Sequence, residues 1–342
     1  MEMARLLKRH PGMWRHREQA KPVTLLVPTA LRRVVRQHLS RFESPVATAF
    51  AQRVRDEQGD NLAALLFYGS HLNGTSSPES DHDFFLIVRD YRRAHRDRLH
   101  AWACGILPPS IYRRRVRLPD GREHACKVSI LSTDDLERLT APGAPDSYVF
   151  GRLGKRVAIV WARDEAARRA AEDAVCRAAA LCGAWSLRGM QAPFSADPFI
   201  LDALALSYRS EERLEGADRA RVLFAADEAY FRGVYGAYLA AAETAGLAHR
   251  LERGGLLRVS GSHVERHAER LACARFLARS RRRARLRWLK NVWTFEGWSD
   301  YMISKIRRHQ GVVIVLSPRE RRFPLLAAIR YYFRFRKDRR LR

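Results

Sequence analysis

The spacing of apolar and polar residues predicts strands in the first half of the chain. Apolar side chains recur at helical spacing over residues 29–57, which predicts a helix before the first strand. LAALLFYGS at 62–70 and DFFLIVRD at 83–90 are nearly continuous apolar runs, as expected of buried central strands. HACKVSIL at 124–131 predicts a third strand, in which alternate side chains face opposite sides. Strands combined with helices indicate an α/β fold.

The second half of the chain has a different pattern. From about residue 164 the sequence is Ala-rich with helical spacing, interrupted only by short strand candidates at 254–262 and 311–318. We therefore predict a first domain over 25–165 and a mainly helical second domain over 166–318. Residues 319–342 carry ten Lys or Arg beside an apolar face, which is typical of an amphipathic helix that lies on a membrane surface.

Composition narrows the class of partner. The chain has 342 residues, of which 46% are hydrophobic, so it can bury a sizeable core. Its formal charge of +26 predicts an anionic partner: nucleic acid, anionic lipid or a phosphorylated substrate. Five cysteines without a CxxC pair argue against a disulfide framework and a thiolate zinc site, and favour a reducing cytoplasm. The sequence has no apolar run of bilayer-spanning length and no secretory signal pattern at its start.

Candidate chemistry lies between the first two predicted strands. Gly69 allows close approach of the backbone to a triphosphate at a strand-to-helix turn, and the Ser70 hydroxyl can hold phosphate oxygens. Asp81 and Asp83 stand at i and i+2 on a strand, so both carboxylates leave the same face. Two carboxylates in this position predict a Mg²⁺ or Mn²⁺ site that binds the phosphates of a nucleotide. The alternative is an ordinary Gly-Ser turn followed by an acidic strand start.

This combination resembles the DNA polymerase β nucleotidyltransferase superfamily. The resemblance implies a mixed sheet, a Gly-Ser pair at a helix start, two aspartates on one strand and a third acid on a neighbouring strand. Glu123, which shares a strand face with Lys127, is our candidate for that third catalytic carboxylate. The alternative for Glu123 is a solvated position after the Asp120-Gly121 turn.

Three later segments resemble the mitochondrial-type CTP:phosphatidate cytidylyltransferase family, which makes CDP-diacylglycerol. They are Cys126-Lys127-Val128-Ser129-Ile130, Gly151-Arg152-Leu153-Gly154-Lys155-Arg156-Val157 and Leu206-Ser207-Tyr208-Arg209-Ser210-Glu211-Glu212-Arg213. The sequence departs from the family pattern at Val128-Ser129, at Arg156 and at Ser210-Glu211. The resemblance implies a winged-helix-like second domain and a membrane-contacting terminal helix.

Within these segments, Lys127, Arg152 and Lys155 are candidates for binding the substrate phosphate. Because the chain contains 63 Lys and Arg, ordinary surface charge is the alternative for Arg152 and Lys155. A buried helix tyrosine is the alternative for Tyr208.

The expected function is metal-dependent cytidylyl transfer from CTP to phosphatidic acid, giving CDP-diacylglycerol and pyrophosphate. The expected location is cytoplasmic, peripherally bound to the inner face of a membrane. Two alternatives stay open: a nucleotidyltransferase acting on RNA, and a non-catalytic nucleic-acid-binding protein with a degenerate transferase domain. The RNA alternative depends on basic stretches such as residues 279–287, whose charge suits a phosphate backbone, and the intact set of Gly69, Ser70, Asp81 and Asp83 argues against the non-catalytic alternative.

Overall fold

The computed structural model describes residues 23–77, 80–95, 97–191, 193–211, 218–252 and 254–294, together with Ile303, Ser317 and Glu320. The helical pattern over 29–57 forms two helices, α1 (Thr29–Leu39) and α2 (Pro45–Gln58), instead of one. The break has a local cause, because the Ser44 hydroxyl accepts a hydrogen bond from the Ala47 amide (3.1 Å) and Pro45 begins the second helix. A short 3-10 turn, Gly59–Asn61, then leads into the sheet.

Five strands form one mixed sheet. They are β1 (Leu62–Tyr68), β2 (His82–Val88), β3 (Ser110–Arg117), β4 (Glu123–Ser132) and β5 (Val157–Ala162). The spatial order is β3-β4-β2-β1-β5, in which β2 and β4 run parallel and the other neighbours run antiparallel. The three predicted strands and the α/β class with a mixed sheet are confirmed. The strands β3 and β5 were not predicted.

The remaining elements of the described chain are mostly helical. Short helices surround the sheet strands: α3 (Tyr91–Ala94), α4 (Arg98–Ile106), α5 (Thr133–Leu139) and α6 (Phe150–Leu153). The second half contains α7 (Glu165–Gly189), α8 (Ala196–Glu211), α9 (Asp218–Ala226), α10 (Glu228–Thr244) and α11 (His263–Thr294). It also contains a two-stranded antiparallel sheet of β6 (Ala248–Arg250) and β7 (Leu257–Val259), so the strand predicted within 254–262 is confirmed.

Predictions for the end of the chain fall on residues that the structure leaves undescribed. The strand candidate at 311–318 lies outside the described residues except for Ser317. The amphipathic helix expected over 319–342 lies outside them except for Glu320. Within the part that is described, no helix combines the length and the apolar character needed to cross a bilayer.

Both faces of the sheet are covered. On one face, Phe67, Phe84 and Val128 pack under α2, which contributes the fully buried Phe50. On the other face, side chains such as Phe85 pack under α1 and the helices of the second half. The expected boundary near residue 165 coincides with the start of α7, but residues on both sides of it share this second core. The helical half is therefore in direct contact with the sheet.

Candidate active site

A row of polar side chains crosses the sheet at the end of β1. Tyr68 pairs with Asp83 on β2, Asp83 pairs with Lys127 on β4, and Lys127 pairs with Arg113 on β3. Directly paired residues project to the same face, so the four side chains form one line. The Lys127 ammonium makes an ion pair with the Asp83 carboxylate. The strand register thus places Asp83 between an aromatic hydroxyl and two cations.

Gly69 is required at the end of β1 for two reasons. Its φ of 88° lies in the region that disfavours side chains, and a Cβ there would stand 2.5 Å from Asp83 Oδ2. The backbone then turns: the Asn73 amide donates to the Gly69 carbonyl (3.1 Å) and the Thr75 amide donates to the Ser70 carbonyl (2.9 Å). The resemblance implied a helix start at this point. The structure has a single turn that Gly74, with a φ of 66°, ends.

Asp81 lies immediately before β2, on the same side as Asp83. Its Oδ1 accepts a hydrogen bond from Arg113 Nη2 at 3.0 Å. Its Oδ2 is buried and has no hydrogen-bond partner among the residues that the structure describes. A buried carboxylate oxygen without a partner is costly, and a cation bound there would satisfy it.

The donor set of Asp81 and Asp83 fits Mg²⁺ or Mn²⁺ only in combination with substrate oxygens. Across the described ranges, no group of three or more His, Cys, Asp or Glu side chains is arranged to hold a metal ion. Mg²⁺ is nevertheless commonly bound by one or two carboxylates together with substrate phosphates and water. The two aspartates match that mode and do not match a cage made of protein ligands alone.

Glu123 does not join the aspartate pair. It lies at the exposed start of β4, four residues before Lys127, which corresponds to roughly 13 Å along a strand. Its carboxylate pairs with Arg117 (2.8 Å) and Arg115 (3.6 Å) on β3, and the hydrogen bond from Arg117 lowers the pKa of Glu123. The physical reason is the parallel register of β2 and β4, which brings Lys127 and not an acid beside Asp83. The structure therefore does not support Glu123 as the third carboxylate.

Arg152 is buried in an ion pair and is not surface charge. Its Nη1 and Nη2 donate to the two Glu211 carboxylate oxygens at 2.6 and 2.8 Å, and its guanidinium lies 3.5 Å from the Tyr148 ring centroid. Burial acts to lower the pKa of Arg152, but the Glu211 carboxylate outweighs it and the pKa is raised. The helices α6 and α8 approach closely here because Gly151 has no side chain, and a Cβ there would lie 2.8 Å from Ser207 Cβ.

Lys155 is also buried. Its ammonium donates to the Ser207 hydroxyl at 2.9 Å and lies 4.1 Å from the Tyr208 ring centroid. Arg152 and Lys155 thus hold α8 against α6 and the segment that follows it, and the structure does not bring them together with Lys127 as an open phosphate clamp. Two of the three segments that carry the family resemblance, 151–157 and the described part of 206–213, are in direct contact.

Several residues of the site region were missed by sequence reasoning. Arg113 contacts Asp81, Glu211 neutralises Arg152, and Arg219 on α9 donates to the Thr75 hydroxyl at 2.7 Å. The Tyr68 hydroxyl is buried without a hydrogen-bond partner among the described residues, and burial followed by the charge of Asp83 raises its pKa. Two of them carried a signal in the sequence, because Tyr68 directly precedes Gly69 and Glu211 lies in the 206–213 segment.

Three histidines adjoin the aspartates. The rings of His71 and His82 stack with centroids 3.7 Å apart, and His124 meets His82 edge-on at 5.7 Å. His71 Nε2 is 2.8 Å from the Ser80 carbonyl oxygen and anchors the loop before β2. Burial, followed by the charges of His71 and His124, lowers the pKa of His82 to about 4. His82 is therefore neutral near pH 7 and has a packing role beside the site.

Comparison with protein-family models and with curated proteins finds no match to this chain.

Proposed function

We propose that this protein is a nucleotidyltransferase that uses Asp81 and Asp83 to bind a nucleoside triphosphate with Mg²⁺ or Mn²⁺. The observation that carries the proposal is the contact between Gly69 and Asp83. A turn that excludes any side chain lies directly against a carboxylate, and a second carboxylate beside it has a buried oxygen for which the described residues supply no partner. An ordinary surface turn followed by an acidic strand start requires neither feature.

The carboxylates and the cations of the site have different roles, since the former would bind metal and the latter would bind phosphate. Asp81 and Asp83 would hold the metal beside the triphosphate, and Mg²⁺ or Mn²⁺ held there would supply positive charge that offsets the charge of the phosphates. Lys127 and Arg113, which neutralise the aspartates in this structure, exchange those carboxylates for phosphate oxygens when nucleotide binds. The turn at Gly69 and Ser70 presents backbone amides and a hydroxyl to the phosphates.

The reaction is a displacement at the α-phosphorus of the nucleotide. An oxygen of the acceptor phosphate forms a bond to that phosphorus, the bond to the bridging oxygen of the β-phosphate breaks, and pyrophosphate leaves. The electrons of the breaking bond remain on the pyrophosphate oxygen, where Lys127 and Arg113 can compensate the charge.

We propose CTP as the nucleotide and phosphatidic acid as the acceptor, following the resemblance carried by segments 126–130, 151–157 and 206–213. The contact between the second and third segments, through Arg152–Glu211 and Lys155–Ser207, supports a shared architecture. The helices α8 to α11 with the β6–β7 sheet are the part for which we propose a winged-helix-like arrangement. The net charge of +26 suits both an anionic acceptor and an anionic membrane surface.

RNA as the acceptor is less well supported, because the Arg-rich stretch of α11 is largely occupied by internal contacts. Arg283 and Arg287 both donate to the buried Asp146 carboxylate, at 2.6 and 3.0 Å. Arg279 donates to the Pro145 carbonyl at 2.9 Å, and Arg281 donates to a carbonyl of α8. Cations held in this way fix α11 to the rest of the chain and are less available to track a phosphate backbone.

The proposal is tested by incubating the full chain with each α-phosphate-labelled nucleoside triphosphate, Mg²⁺, and either phosphatidic acid or RNA. The expected product is labelled CDP-diacylglycerol, formed from CTP with release of unlabelled pyrophosphate. Labelled RNA in place of labelled lipid would contradict the lipid acceptor but keep the transfer reaction. If no label is transferred to either acceptor, the proposed function is contradicted.

A further inference from the structure

The solvent-facing side of α4 is apolar. Eight large hydrophobic residues are exposed in the described part of the chain, and three of them, Leu99, Trp102 and Ile106, lie on this nine-residue helix. Their side chains are 57%, 64% and 57% exposed. Positions i, i+3 and i+7 share one side of a helix, so the three form a continuous strip. Ala101, Ala103 and Cys104 are the buried residues of the same helix.

The C-terminal part of α11 is bound to the segment that follows α4. Lys290 donates to the Leu107 carbonyl at 2.6 Å, and Arg287 donates to the Pro108 carbonyl at 3.0 Å, which fixes α11 to the residues that directly follow α4. Two more of the eight exposed hydrophobic residues, Leu286 and Leu289, lie on this part of α11. Five of the eight thus occur on two connected elements.

Positive charge lies at the N-terminal end of the apolar strip. Arg92, Arg93 and Arg98 are exposed immediately before or at the start of α4. The nearby acids, Asp90 and Asp97, serve as N-caps: Asp90 accepts from the Arg92 amide at 2.8 Å, and Asp97 accepts from the His100 amide at 2.9 Å. The surface therefore combines exposed aliphatic side chains, an exposed tryptophan and a basic margin.

We infer that the α4 surface, defined as Leu99, Trp102 and Ile106 with Arg92, Arg93 and Arg98, binds the headgroup region of an anionic lipid bilayer. Tryptophan concentrates at the boundary between lipid and water, aliphatic side chains enter the acyl region, and arginines pair with lipid phosphates. The inference extends the proposed lipid acceptor, since it holds the chain on the surface that contains the substrate. It concerns residues apart from the terminal segment 319–342.

Two other occupants are disfavoured, a second copy of this chain by charge and RNA by the apolar side chains. A second copy of this chain would bring two basic margins together in a protein that already carries a net +26, which opposes self-association through this surface. Single-stranded RNA can stack on Trp102 and pair with the arginines, but Leu99 and Ile106 add nothing to such binding. All three apolar residues contribute only if the partner has an apolar interior.

The test uses the full chain and vesicles of phosphatidylcholine, either alone or mixed with phosphatidylglycerol. A triple variant, Leu99→Ser with Trp102→Ser and Ile106→Ser, is compared with a control, Val222→Ser with Val264→Ser, which changes exposed apolar residues on α9 and α11. Co-sedimentation should show that the triple change lowers partitioning onto the anionic vesicles by on the order of tenfold or more. The control pair and Trp102→Phe should bind nearly as the unaltered chain does.

Circular dichroism establishes that the triple variant is folded, as expected for changes at exposed positions. Unchanged vesicle binding by the folded triple variant would overturn the inference. So would a loss of RNA affinity that exceeds the loss of vesicle affinity, or a change from dimer to monomer on sizing. Vesicle binding needs no nucleotide, so a chain that binds through this surface but transfers no nucleotidyl group contradicts the proposed function and supports this inference.

Discussion

Replacing Gly69 by alanine tests the contact between the turn and the carboxylate. The added Cβ would lie 2.5 Å from Asp83 Oδ2, whereas ordinary contact begins at 3.4 Å, so the Asp83 carboxylate must move by about 0.9 Å. The φ of 88° adds backbone strain of roughly 1–2 kcal/mol for any residue with a side chain. Gly74→Ala is the matched control: its φ of 66° carries similar strain, but no atom lies within 4 Å of the added Cβ.

On urea denaturation we expect Gly74→Ala to lose roughly 1–2 kcal/mol of stability from backbone strain, and Gly69→Ala to lose at least as much, because the clash adds to the same strain. Only Gly69→Ala should also lose catalytic rate. A displacement of about 1 Å at a reacting centre lowers the reaction rate on the order of 100-fold, which corresponds to about 2.7 kcal/mol of activation free energy. Transfer of label from CTP, measured for both variants under saturating substrate, compares the two. Equal rates for Gly69→Ala and Gly74→Ala would refute the assigned role of the contact.

Arg152→Ala or Glu211→Gln leaves one partner of a buried ion pair alone, so each should lower the free energy of unfolding by about 3–5 kcal/mol on urea denaturation, and a loss below about 1 kcal/mol would contradict the pairing. His82 has a folded-state pKa of about 4, below the value of 6.5 for an exposed histidine. The unfolded chain therefore binds the proton more readily, and the stability that depends on neutral His82 is complete above pH 6.5 and is lost as the pH falls toward 4. Thermal denaturation of His82→Asn should show a weaker pH dependence than the unaltered chain over this range, and identical slopes would contradict it. Tyr68→Phe removes a buried hydroxyl without a described partner, so the free energy of unfolding should stay equal or rise by up to about 1 kcal/mol; a loss above about 1 kcal/mol would show that the hydroxyl has a stabilising partner.

Local sequence patterns were sufficient to predict much of the fold. The strands β1, β2 and β4 were predictable because each is a long apolar run in which packing on both faces leaves little ambiguity. Strand β5 (Val157–Ala162) is also apolar and could have been recognised from the same signal. Strand β3 was harder, because arginines at 113–115 interrupt its alternation and face solvent at one edge of the sheet.

Which residues meet at the site depends on strand register and long-range ion pairs, and no local sequence pattern contains that information. The i, i+2 spacing of Asp81 and Asp83 predicts that both carboxylates leave the same face of the strand. The residue beside Asp83 is set instead by the register between β2 and β4. That register brings Lys127 to Asp83 and leaves Glu123 beyond the site. The partner of Arg152 lies 59 residues away, in a helix whose position depends on the packing of the whole second half. Arg152, for which the sequence alone allows ordinary surface charge, is therefore buried and paired in the fold.

The most direct test of the account is the rate of label transfer from CTP to phosphatidic acid by Asp81→Asn and Asp83→Asn, compared with Glu123→Gln. Both asparagine changes keep side-chain volume but remove a charged metal ligand, so each should lower the rate by at least about three decades, or roughly 4 kcal/mol. Glu123→Gln alters an exposed ion pair on β3 and β4 and should stay within about threefold of the unaltered chain. Folding of each variant is established by circular dichroism. Near-normal transfer by either asparagine variant would contradict the assignment of the active site to the aspartate pair.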